Sequence, residues 1–281
     1  MKHMEPRTLL KFDAYQDRYY RKLMQLPYFD LVHPIVEQFI RQIVAQGAFC
    51  MRVTPKVLAQ ILADGYIRNK MELSDENPKG ENKPIRKEVV RMMFGQDPEI
   101  LQPAEFHKYG YLSSSQVRQD LLWNYSLVYQ FGSVLITLRK DRMMHRTTLC
   151  FGDSLNFGAC GLMVPTRVDR VKATCILGLK HADSLIPAPT HPLDLYGYIA
   201  QKISEGQLTE KNFIKLEDIT RDGPPLFQFF ELQYHGRIDL LKDIERIDAT
   251  LERPQDKELL TALQPQLEEI GIPFKIWETI I

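Results

Sequence analysis

The run LFQFFELQYHG (226–236) carries three groups of different chemistry at every second position. Glu231 is an acid, Gln233 an amide and His235 an imidazole. In an extended chain, side chains alternate between two faces, so these three share one face while Phe230 and Leu232 take the other. Polar groups beside a core must line a wet cleft or be paired, unless the strand is a solvated edge. A second charge, Arg52, ends a predicted strand just before a helix. Its planar fork suits a phosphate or a carboxylate, and the amides of a helix N-terminus also favour anions; an arginine on an exposed strand face is the alternative. KYGYLSSS (108–115) adds Tyr109, Tyr111, Ser113, Ser114 and Ser115. Hydroxyls can hold a ligand amide or a sugar, and a tyrosine offers a flat face for a ring, although serine runs also make turns. FGS (131–133) and CFGDS (150–154) place Gly132 and Gly152 at tight turns or bulges beside strands. Asp153 reads as a turn residue bonded to its own backbone rather than as a catalytic carboxylate.

The elements that must position these groups follow from periodicity. Val32, Ile35, Val36, Phe39, Ile40, Ile43 and Val44 recur at helical spacing, with Gly47 as the stop. Leu9, Phe12, Tyr19, Leu23 and Leu26 suggest an earlier amphipathic helix. No motif lies on either helix, so this part reads as support or a lid. A strand over 48–53 then enters a helix directly: Thr54 is a good N-cap and Pro55 fits the first helical position, where its missing N–H has no intrahelical partner. Val57, Leu58, Ile61 and Leu62 form the buried stripe, and Gly65 ends the helix. SDENPKGENKP (74–84) is a polar surface loop, followed by a short helix over 85–94. Strands are predicted over 109–112, 134–138, 147–151 and 226–234, and a closing strand in IPFKIWETI (272–280). Helices are predicted over 193–204, 240–247 and 257–270. Helices first, then mostly strands, give an α+β class.

Composition limits the function. Lys plus Arg equals Asp plus Glu at 36 each, 44% of residues are hydrophobic and 26% are charged. A chain that grips nucleic acid through many phosphates carries a basic excess, so nucleic acid is not the default partner, though a local basic face is compatible with a neutral total. Cys50, Cys150, Cys160 and Cys175 form no CxxC pair, which argues against a zinc site and for reduced thiols. The sequence has no apolar run of membrane-spanning length and no secretory signal at residues 1–20, so a membrane partner is not expected. Walker-type, GxGxxG, HExxH and GxSxG patterns are absent.

Taken together, the four places resemble the ADP-ribosyltransferase fold of bacterial toxins, effectors and poly-ADP-ribose polymerases. FCMRVTPKVLAQILADGYI (49–67) looks like the opening strand–helix unit, with Arg52 where many members have His. YLSSS looks like the serine motif and FFELQYHG like the glutamate strand, as in the arginine–serine–glutamate class. A closer likeness is to a bacterial family of this fold with KYG, FGS, FGDS and Glu-x-Gln-x-His-Gly motifs, here at 108–110, 131–133, 151–154 and 231–236, spanning roughly 48 to 280.

The resemblance implies a split β-sheet core over 48–281 behind an N-terminal helical segment, 1–47. It implies NAD as cosubstrate and no metal. Glu231, Gln233 and Arg52 would be catalytic, with Arg52, Thr54, Tyr109, Tyr111, Ser113, Ser114 and His235 contacting NAD. The implied activity is mono-ADP-ribosyl transfer to a macromolecule, expected to be a protein, by an effector- or toxin-like enzyme. NAD glycohydrolysis or an inactive binding module are the alternatives. The protein would be cytoplasmic, or secreted or translocated into a host cell without a cleavable signal. Arginine-modifying members often have Gln or Glu where this chain has Phe229, which argues against arginine as acceptor. The whole reading requires Arg52 and Glu231 to meet across one pocket.

Overall fold

The computed structural model describes residues 5–14, 17, 21, 24–25, 29–73, 83–113, 131–151, 162–163, 166–167, 176–177, 200, 203–206, 209, 230–251 and 254–277. Its helices are α1 (Phe29–Gln46), α2 (Pro55–Asp64), α3 (Lys83–Phe94), α4 (Lys140–Met143), α5 (Leu240–Asp243) and α6 (Pro254–Glu269). The longer strands are β1 (Ala48–Val53), β3 (Lys108–Ser113), β4 (Val134–Leu138), β5 (Thr147–Phe151), β9 (Phe230–Tyr234), β11 (Ile244–Thr250) and β12 (Phe274–Trp277). Two-residue strands complete the set: β2 (Tyr66–Ile67), β6 (Leu162–Met163), β7 (Thr166–Arg167), β8 (Ile176–Leu177) and β10 (Ile238–Asp239). The architecture is α+β, with a large central sheet and flanking helices. Eight strands hydrogen-bond in one unbroken series, β12-β11-β4-β1-β3-β9-β5-β7. Only β11–β12 is parallel in that series.

Local chemistry explains the first half. Along α1, Val36, Phe39, Ile40, Ile43 and Val44 are buried, while Glu37 and Arg41 pair across one turn at 2.7 Å on the outer side. Phe39 meets Phe230 with ring centroids 6.1 Å apart, which seats α1 on the apolar face of the sheet. Thr54 caps α2 by accepting from the Val57 N–H at 3.3 Å, and Gly65 ends the helix in the left-handed region at φ 74°. Leu58 and Ile61 are buried, but Val57 is 41% exposed, so the predicted stripe is narrower by that residue.

The earlier predicted helix follows a 3-10 turn over Arg7–Leu9, and its described residues 12–14, 17 and 21 are helical. Leu9 and Phe12 from it are buried, and Phe12 meets Phe94 of α3 at 5.8 Å. One expectation fails in the second half. The helix placed over 240–247 is only the short α5, and Ile244 begins β11, a central strand of the sheet. A bulge between Ile244 and Arg246 breaks the alternation that would have marked a strand. The expected loop over 74–84 falls outside the described residues except for Lys83 and Pro84, which begin α3, and the helix over 193–204 falls outside them except for 200, 203 and 204, which are helical.

Candidate active site

Strand register decides which side chains share a face. On the β1–β3 ladder, Cys50 faces Tyr111 and Ala48 faces Ser113. On β3–β9, Tyr111 faces Glu231 and Tyr109 faces Gln233. On β5–β9, Thr148 faces Gln233. By the two-residue alternation of strands, Arg52, Tyr109, Tyr111, Ser113, Glu231, Gln233 and Thr148 therefore project from one side of the sheet. Phe49, Leu112, Phe230, Leu232, Tyr234 and Leu149 project from the other, into the apolar core.

Arg52 and Glu231 are thus brought together on one face, two strands apart, with Tyr111 between them. The Arg52 Nε donates to the Tyr111 hydroxyl at 3.3 Å, and Nη1 donates to the Gly132 carbonyl at 3.3 Å. Gly132 is indispensable there: at φ 133° an added Cβ would lie 2.2 Å from the Val53 oxygen. Arg52 and Glu231 are 7% and 3% exposed. Two described cavities, of about 370 and 550 Å³, lie elsewhere and are lined by neither residue.

Glu231 stands at one end of a buried chain of polar groups. The Gln233 amide nitrogen donates to Glu231 Oε1. The Thr148 hydroxyl donates to Gln233 Oε1 at 2.8 Å and lies 3.0 Å from His235 Nε2. His235 Nδ1 lies 2.7 Å from the Thr8 hydroxyl. Thr8, Thr148, Gln233 and His235 are all fully buried. His235 is therefore held behind the face by its neighbours, with Phe94 of α3 edge-on to its ring at 4.7 Å.

Tyr109, next on that face, stacks edge-on against His107 at 4.6 Å and lies under the Arg86 guanidinium at 4.4 Å. His107 is buried, and neither of its ring nitrogens has a hydrogen-bond partner among the described residues. Burial holds it well below the usual imidazole range, and the Arg86 and Lys108 charges act in the same direction. Arg86 has no ion-pair partner among the described residues. Ser113 is buried, and its hydroxyl has no hydrogen-bond partner among the described residues.

Several motif residues serve the backbone. A Cβ on Gly110 would sit 2.2 Å from the Cys50 oxygen and 2.4 Å from the Tyr234 ring, so only glycine lets Tyr234 cross β3 and donate to the Cys50 carbonyl at 3.1 Å. Lys108 donates to the carbonyls of Gly236 at 2.8 Å and Ala104 at 3.2 Å, and burial pulls it down to about 8. The KYG and YHG segments therefore interlock. Thr54 is engaged as the helix cap described above. Ser114, Ser115, Gly152, Asp153, Phe229, Cys160 and Cys175 lie outside the described residues, and Cys50 is a buried free thiol.

Thr8, Arg86, His107 and Thr148 were missed by the sequence reading. His107 had a legible signal, since alternation from Tyr109 and Tyr111 places it on their face. Thr8, Arg86 and Thr148 had none, because their partners are set by long-range packing and register.

No model of a known protein family matches the chain, and no curated protein matches it. Among solved structures, the fold is similar to that of "Thermus sp. 2.9 DarT in complex with carba-NAD+", with 10% sequence identity, a TM-score of 0.35, and coverage of 82% of this chain and 94% of that chain.

Proposed function

We propose that the chain is an NAD-dependent mono-ADP-ribosyltransferase that uses NAD as cosubstrate and a protein as acceptor, with residues 48–281 as its catalytic domain and 1–47 as a helical segment packed on it. The observation that carries this reading is the placement of Arg52, Tyr111 and Glu231 on one sheet face, joined by the Arg52–Tyr111 hydrogen bond and the Tyr111–Glu231 register. The groups on that face suit NAD. A dinucleotide presents two anionic phosphates, for which Arg52 and the stacked Arg86 are the matching cations. The Ser113 hydroxyl, buried on the same face and without a hydrogen-bond partner among the described residues, suits a ribose hydroxyl or the nicotinamide amide. Tyr109 and Tyr111 offer ring faces.

Breaking the bond between nicotinamide and ribose builds positive charge on the sugar, as in glycoside hydrolysis. Among the described residues of this face, Glu231 is the group able to stabilise that charge and to hold a ribose hydroxyl. The Gln233 amide donates to one of its oxygens and so fixes the carboxylate's orientation. A preorganised carboxylate acts mainly on the transition state, so its loss lowers turnover more than it lowers affinity.

The test is incubation of labelled NAD with a whole-cell lysate and the purified protein. A labelled protein band is expected, reduced roughly a hundredfold or more with Glu231→Gln. Free ADP-ribose with no labelled macromolecule would instead assign a glycohydrolase. No turnover and no binding at millimolar NAD would reduce the chain to an interaction module.

A further inference from the structure

The polar chain behind Glu231 has a direction. Thr148 has one hydroxyl hydrogen and two neighbours, Gln233 Oε1 at 2.8 Å and His235 Nε2 at 3.0 Å. With that hydrogen on the Gln233 oxygen, Thr148 accepts on its other side, so His235 carries its proton on Nε2. Nδ1 then presents a lone pair, and Thr8 donates to it across 2.7 Å. At the far end the Gln233 nitrogen donates to Glu231. Every hydrogen points from Thr8 toward the carboxylate.

With a neutral His235 ring, two arrangements satisfy these contacts. The first is the one just given, in which Glu231 Oε1 accepts. The second is its mirror: a protonated Glu231 donates to a flipped Gln233, which donates to Thr148, which donates to His235 Nε2, whose Nδ1–H donates to Thr8. A mixed arrangement fails. Pairing the Nδ1–H form of His235 with a Gln233 that donates to Glu231 Oε1 sets two lone pairs against each other between Thr148 and the ring. Because the groups are buried, water cannot repair such a mismatch.

We propose that Thr8 and His235 are positioning residues for Glu231, forming with Thr148 and Gln233 a one-way relay that holds Glu231 Oε1 as an acceptor in a fixed orientation. The relay begins in the N-terminal segment, so that segment completes the site rather than merely supporting it. This inference rests on Glu231 being the catalytic carboxylate.

Two readouts test it. Long-range 15N–1H spectra of the wild-type protein are expected to show neutral His235 protonated on Nε2. A signal for the Nδ1–H form would overturn the relay whatever the activity data show. In nicotinamide-release kinetics, Thr8→Val is expected to lower kcat roughly tenfold with KM for NAD unchanged within about twofold, and Thr8→Ser to restore kcat. If Thr8→Val does not fold, the wild-type spectrum and Thr8→Ser still decide. Wild-type kcat in Thr8→Val beside an inactive Glu231→Gln would overturn the relay alone. Wild-type kcat in Glu231→Gln would overturn the functional reading itself.

Discussion

Replacing Gln233 with leucine removes one amide that serves two neighbours. Thr148 loses the acceptor it reaches at 2.8 Å, leaving a buried hydroxyl hydrogen unsatisfied, which costs about 1–3 kcal/mol. Glu231 loses a charge-assisted donor, worth about 1.5–3 kcal/mol. Leucine at a fully buried position returns roughly 1–2 kcal/mol of apolar burial. The net expectation is destabilisation centred at about 3 kcal/mol, seen in urea unfolding as a midpoint shift of roughly 1.5 M at an m-value of about 2 kcal/mol/M. The decisive form is a double-mutant cycle with Thr148→Val. Because that variant has already removed the hydroxyl, Gln233→Leu should be milder in its background by at least about 1 kcal/mol. Additivity within about 0.5 kcal/mol, or a single-mutant loss under about 1 kcal/mol, would refute the relay as a bonded unit.

The remaining predictions concern the frame. Lys108 is held at about 8, below its ordinary 10.5, chiefly by burial. Between those values the unfolded chain binds a proton that the folded chain releases, so this residue makes stability rise as pH rises from 8 to 10.5, by up to about 3 kcal/mol, and stay level below 8. Denaturant titrations across that window should show the rise in wild type and lose it in Lys108→Met; parallel curves would contradict the assignment. Gly110→Ala should destabilise by more than about 3 kcal/mol, because its Cβ meets the Cys50 carbonyl at 2.2 Å and backbone cannot step aside. Adding Tyr234→Ala should restore little of that loss, and full rescue would show that the clash is with the ring alone.

How much was legible in the sequence follows the range of the interactions involved. The β1–α2 unit was readable because its signals are local: a Thr-Pro cap, an apolar stripe and a terminal glycine. β11 was not, because IERIDAT places Arg246 and Asp248 on a strand. Asp248 is buried there and accepts from the Trp277 indole at 3.0 Å, a partner nearly thirty residues away. At the site, the shared face of Glu231, Gln233 and His235 follows from alternation alone. Their junction with Arg52 and Tyr111 needs the β1–β3–β9 register, which local pattern does not contain. The motifs gave a mixed message. Gly110 and Lys108 were found as parts of motifs, yet their described contacts are with backbone and a neighbouring ring, whereas the Gly132 carbonyl accepts from Arg52.

Calorimetric titration of NAD into three proteins, wild type, Arg52→Ala and Glu231→Gln, tests the central claim most directly. The account predicts measurable binding to wild type, affinity within about threefold for Glu231→Gln, and a loss of tenfold or more for Arg52→Ala, the scale of one charge-assisted hydrogen bond. A correctly folded Arg52→Ala protein that binds NAD as tightly as wild type, or a wild type that binds none at millimolar concentration, would contradict it.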